Sequence, residues 1–164
     1  MRRVFSMLVG MSMWTLLLLL AIGIFWTLQT ILDPKGRKAR SMFTLGLFLA
    51  VFDWIFETSG FFSNYWTSAG AVLFIGPAVP LDVFLIAFFS GATMSLLFPR
   101  KFTWNFGLPT AVAIGATGTV IEALLITTGN LSYHGTWTSF HAFVWYFIVF
   151  LGLQKVNELI QPRR

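Results

Sequence analysis

FTLGLFLAVFDWIF, residues 43–56, is a run of apolar side chains broken by one carboxylate, Asp53. ETSGFFSNYW, residues 57–66, follows directly and places Glu57 one helical turn further on. Such a run reads as a membrane span rather than a soluble core helix, because the rest of the chain has the same character. Of its 164 residues, 57% are hydrophobic and 10% charged, against about 25% charged in an ordinary soluble domain. Mean hydropathy is +0.78.

Five apolar segments emerge, at about 4–32, 41–62, 80–98, 106–128 and 138–159. Each approaches or exceeds the ~20 residues that a spanning helix needs. The expected fold is therefore all-α, a single polytopic transmembrane bundle of about five helices occupying residues 1–164. The first segment follows Arg2 and Arg3. It is longer than the hydrophobic core of a signal peptide and has no small-residue cleavage motif after it, so it is expected to be a retained span. Residues 63–79 carry no charge and are too short to cross and return. Tyr65 and Trp66 favour a loop lying at the membrane surface, with a re-entrant segment as the alternative.

Lys35, Arg37, Lys38 and Arg40 follow the first span, Arg100 and Lys101 follow the third, and Lys155, Arg163 and Arg164 lie at the C-terminal end. The other two connections have no Lys or Arg. The positive-inside rule then places the C-terminus in the cytoplasm and the N-terminus outside, in a multi-pass protein of the cell membrane. Arg2 and Arg3 alone oppose this orientation. The net charge of +5 sits at segment ends and is no nucleic-acid signal. Cysteine is absent, which excludes disulfides and thiol chemistry.

A second stretch, IEALLITTGNLSYHGTW at 121–137, resembles the first. In each, an acid precedes a glycine by seven positions, Asp53 before Gly60 and Glu122 before Gly129, and a Tyr and then W-T-S follow. Phe84 and Phe88 of the third span match Phe143 and Phe147 of the fifth. Spans two and three are thus expected to be a duplicate of spans four and five, with Asp53 on Glu122. Both hairpins would run in the same direction about an axis along the membrane normal. Gly60 and Gly129 are expected to close their helices in the left-handed conformation.

A carboxylate inside a span costs roughly 2.5–3.5 kcal/mol on insertion scales and so faces the bundle interior or a wet cavity. Asp53, Glu57, Asp82, Glu122 and His141 are the candidate catalytic residues. Tyr65, Trp66, Tyr133, His134 and Trp137 are the candidate ligand-binding rim. Small residues Ala111, Gly115 and Gly118 share a helical stripe with Glu122, so that acid faces a neighbouring helix. Asp82 has a structural alternative as a first-turn acid after Pro80. Low dielectric and like-charge repulsion disfavour full ionisation of such a set. A set split between protonated and ionised acids suits general acid–base chemistry or proton coupling. No H-x-x-x-H or similar spacing occurs, so no metal site is expected. Nothing identifies a cofactor, and no P-loop or nucleophile-elbow motif is found.

D-W-x-x-E-x-x-G-F-F at 53–62, followed by G-P-A-V-P-L-D-V-F at 76–84, resembles the small membrane proteins of carotenoid metabolism, the heterodimeric or fused lycopene cyclases. Pro80-Leu81-Asp82-Val83 has one acid where that family has a pair of glutamates. The 121–137 stretch with L-L-F-P-R-K at 96–101 also resembles an uncharacterised family of small multi-span proteins of firmicute bacteria. The first resemblance implies a lipid or isoprenoid ligand. The expectation is thus a membrane protein that binds or modifies such a ligand through its acids. The alternatives are a proton- or cation-coupled transporter or channel subunit, and a non-catalytic assembly subunit. Membrane lipid is the expected partner, and a homo-oligomer or a partner membrane subunit is compatible with the chain.

Overall fold

The computed structural model describes residues 12–161. The expected start of the first span near Val4, and Arg2, Arg3, Arg163 and Arg164, lie outside the described residues. Among the described residues there are five α-helices: α1 (Met13–Leu32), α2 (Ala39–Phe62), α3 (Leu81–Leu97), α4 (Trp104–Thr127) and α5 (Ser139–Ile160). The class is all-α. Four of the helices are long and apolar enough to cross a membrane, compatible with a multi-pass membrane protein. α4 begins at Trp104, two residues before the expected start, and carries Pro109 in its second turn, where the missing N–H leaves one carbonyl without its helical partner. The third segment is the shorter exception. With 17 residues, α3 is roughly 26 Å long, a little under the ~30 Å hydrocarbon core.

The connections have physical causes. Asp33 ends α1, and its carboxylate accepts the backbone N–H of Arg37 at 2.9 Å and of Lys38 at 2.7 Å. Lys38 Nζ then donates to the Leu96 carbonyl at 2.9 Å, a cation on the unpaired carbonyls that end α3. Residues 63–79 are a loop rather than a re-entrant helix. That loop holds strands β1 (Trp66–Ser68), β2 (Phe74–Ile75) and β3 (Val79–Pro80), while β4 (Leu131–Tyr133) lies between α4 and α5. β2 and β3 form a hairpin, and β1 pairs antiparallel with β4. In that ladder Thr67 stands opposite Ser132, Trp66 opposite Tyr133 and Ser68 opposite Leu131.

The two matched glycines play different parts. Gly129 has φ +73° and closes α4, with the Asn130 N–H returning to the Leu125 carbonyl at 2.8 Å. Gly60 instead lies inside α2, which runs on to Phe62. There Asn64, with φ 54°, is the left-handed residue, and the Tyr65 N–H returns to the Gly60 carbonyl at 2.9 Å. Asn tolerates this region better than most side chains. Gly60 is needed for another reason, since any Cβ there would overlap the Trp66 ring.

Helix packing rests on close backbone approaches at small residues. Where α2 crosses α3, a Cβ on Gly46 would meet the Phe88 carbonyl at 2.8 Å, and one on Gly91 would meet the Leu45 carbonyl at 2.6 Å. On α4, Gly115 lies under Phe143 and Gly118 under Tyr146, both on α5. The main packings are α2 on α3, α4 on α5 and α1 on α3, with α2 meeting α5 at the centre. The helices therefore follow one another in space as α1, α3, α2, α5, α4. Leu45, Leu49, Ala50, Ala87, Phe150 and Leu153 form the core where the two hairpins meet.

Candidate functional site

The concave side of this arc of helices holds a cavity of about 430 Å³, within the roughly 300–1,000 Å³ typical of small-molecule sites. Leu49, Phe52, Asp53, Phe56 and Glu57 of α2 line it, and so do Ile114, Thr117, Gly118, Ile121 and Glu122 of α4. The two sets have the same spacing, 65 positions apart. The same displacement carries α2, Ala39–Phe62, onto α4, Trp104–Thr127. It also carries Asn64 onto Gly129 and β1 onto β4. Likewise Val83, Ile86, Ala87 and Ser90 of α3 and Ala142, Trp145, Tyr146 and Val149 of α5 line the cavity 59 positions apart. The displacement of 65 positions is four shorter than the one between Gly60 and Gly129, and under it Glu57 matches Glu122 while Asp53 matches Gly118.

Three carboxyls converge here: Asp53, Glu57 and Glu122 all line the cavity. Glu57 Oε2 accepts the Trp66 indole N–H at 2.8 Å. β1 holds that indole over Gly60, and Phe56 and Trp137 pack on it with ring centroids 5.0 Å and 4.6 Å away. Glu122 Oε1 accepts the Tyr146 hydroxyl at 2.7 Å, and its Oε2 accepts the Tyr133 hydroxyl. The short β1–β4 ladder thus delivers one donor to each hairpin's glutamate, Trp66 to Glu57 and Tyr133 to Glu122. Asp53 differs from both, since its Oδ2 is buried and has no hydrogen-bond partner among the described residues. A buried acceptor left unpaired costs about 1–3 kcal/mol.

The remaining candidates are placed elsewhere. Asp82, in the first turn of α3, accepts the Thr15 hydroxyl of α1 at 3.1 Å and does not line the cavity. His141 contacts the Thr138 hydroxyl through Nδ1 at 2.9 Å and stacks on Trp137. His134 meets the Thr67 hydroxyl across the ladder at 3.0 Å. Tyr65 stacks on Trp137 from outside. Of the expected rim, Trp66, Tyr133 and Trp137 line the cavity, while Tyr65 and His134 do not. These four polar residues sit at helix starts or in loops, where neighbouring hydroxyls and rings occupy them. Tyr146 was not foreseen. Its signal is a phenol in mid-span, which needs a buried partner, one helix away from an acid.

The cavity is closed at its loop end by Trp14, Trp66, Leu125 and Leu131, which pack together, and Trp14 is tied by its indole N–H to the Ala69 carbonyl at 2.8 Å. Further along, its wall is open. Leu20 and Ile24, midway along α1, line it while 58% and 45% exposed, and Thr117, midway along α4, also lines it and is exposed. The opening thus lies between α1 and α4, midway along both helices. Among the described residues no group of three or more His, Asp or Glu is arranged to hold a metal ion. No family model, no curated protein and no solved structure matches the chain.

Proposed function

We propose that the chain is an integral membrane protein that takes a lipid or isoprenoid molecule from the bilayer and binds or modifies it beside Asp53, Glu57 and Glu122. The carrying observation is the largely apolar cavity that opens sideways at mid-span and ends at three carboxyls. An opening at that depth meets acyl chains rather than water, so its occupant is lipid-soluble. The resemblance of residues 53–84 to carotenoid-modifying membrane proteins points the same way.

The same reading includes a duplication. Two hairpins, α2–α3 and α4–α5, descend from one unit with Glu57 and Glu122 equivalent, and the cavity lies between the copies. The ladder supports this, because Thr67 pairs with Ser132, its own counterpart under the displacement of 65 positions. A local two-fold axis through that pair would relate the two copies. The basic loops support the orientation. Lys38 and Leu96 are bonded, and so are Asn157 and the Pro99 carbonyl, which gathers both basic loops and the end of α5 at one face. That face is cytoplasmic by the positive-inside rule, and the acids belong to the outer half of the bilayer of the cell membrane.

Native mass spectrometry of the protein released from lipid nanodiscs tests the reading. The wild type should retain a lipid-soluble molecule. Thr117→Trp, at the exposed mouth, should lose it while remaining folded. A wild type that carries no such molecule, after supply of a total membrane extract, contradicts ligand binding.

A further inference from the structure

The cavity has a chemical bias that narrows its ligand. Three carboxyls line it, and among the described residues no Lys, Arg or His does. Phosphate-headed lipids are recognised by Arg, Lys or a metal ion. Here a phosphate would be desolvated among carboxyls with no cation beside it to pair its charge. A plain hydrocarbon fits the apolar walls but leaves Asp53 Oδ2 as it stands, buried without a partner among the described residues. Glu57 and Glu122 make no such demand, because Trp66, Tyr133 and Tyr146 already donate to them.

The asymmetry between the hairpins sharpens this. Opposite Asp53 the α4 position is Gly118, and the ring of Tyr146 fills the space a side chain there would take. At the position of Tyr146 the α3 residue is Ala87, whose methyl group offers Asp53 no donor, and both residues line the cavity. One half-site is therefore filled by the protein's own phenol, which donates to an acid. The other presents an acid and no donor. Resting on the lipid-binding function proposed above, we infer that the ligand is an uncharged, lipid-soluble alcohol whose hydroxyl donates to Asp53, the place that a phenol of the protein takes in the other hairpin.

Photo-crosslinking in nanodiscs tests this with two probes, a diazirine-bearing long-chain isoprenoid alcohol and its monophosphate. The alcohol should label residues of α1 and α4 that line the cavity, and the monophosphate should label them about tenfold less, as a loss of about 1.4 kcal/mol in affinity implies. Asp53→Leu should reduce alcohol labelling about tenfold, whereas Asp53→Asn, which keeps an acceptor, should retain most of it. Size-exclusion behaviour and tryptophan fluorescence confirm that each variant is folded. Equal labelling by the monophosphate, or undiminished labelling of a folded Asp53→Leu, overturns the inference and leaves lipid binding standing. Failure of both probes to label the cavity overturns lipid binding itself.

Discussion

Tyr146 reaches from α5 to Glu122 on α4 and donates its hydroxyl to Oε1 at 2.7 Å, with Gly118 directly beneath the phenol ring. Glu122 also receives Tyr133, whereas among the described residues Glu57 receives only the Trp66 indole. The two glutamates should therefore respond unequally to loss of a donor. Tyr146→Phe leaves Glu122 with one donor and should cost about 1 kcal/mol. Trp66→Phe strips Glu57 of its one side-chain donor and removes part of the aromatic packing, so it should cost more, about 2–3 kcal/mol. Thermal unfolding in detergent, followed by tryptophan fluorescence, ranks the pair. The reverse order, with Tyr146→Phe worse, would mean that the Glu57–Trp66 contact does not form.

Gly60 and Gly129 occupy matching places in the sequence pattern but different places in the fold. Gly129→Ala puts a side chain at φ +73° with open space around it, which should cost about 1 kcal/mol. Gly60→Ala keeps helical backbone but drives a methyl group into the Trp66 ring. It should cost about 1–3 kcal/mol as the indole is pushed off Glu57. The discriminating readout is spectral. The Gly60 variant should shift Trp emission, and Gly129→Ala should not. If both leave the emission unchanged, the indole does not cover Gly60.

Orientation is accessible because the chain lacks cysteine. A cysteine at Ser68, in β1, should react with a membrane-impermeant maleimide from outside intact cells. One at Arg37 or Lys101 should react only after the cells are opened. Labelling of Arg37→Cys in intact cells would invert the topology and place the acids in the inner half of the bilayer.

The spans were legible because hydrophobic runs of this length have few other solutions. Helix bounds for spans two to five fall within two residues of the expected ones. The convergence of Asp53, Glu57 and Glu122 was legible for a related reason, since an acid in an apolar helix has nowhere else to turn. Residues at the ends of spans carry no such constraint. Asp82 and His134 meet hydroxyls distant in sequence, Thr15 and Thr67, and His141 a local one, Thr138, and spacing alone does not choose between such a hydroxyl and a shared site. The register of the proposed duplication is obscured in the sequence by a coincidence. Gly60 imitates Gly129 in the pattern, but Asn64 closes the helix. The strand pairing was invisible because β1 and β4 are three residues each, too short for an alternating pattern to show.

A crystal structure grown from a lipidic mesophase, with total membrane lipid supplied, bears most directly on the lateral cavity and its acids. Elongated density should run from the opening between Leu20 and Thr117 to Asp53, with the Asp53 and Glu122 carboxyls facing the same space. A closed contact between α1 and α4, or Asp53 turned to the lipid on the far side of α2 from Glu122, would refute a ligand site in this bundle.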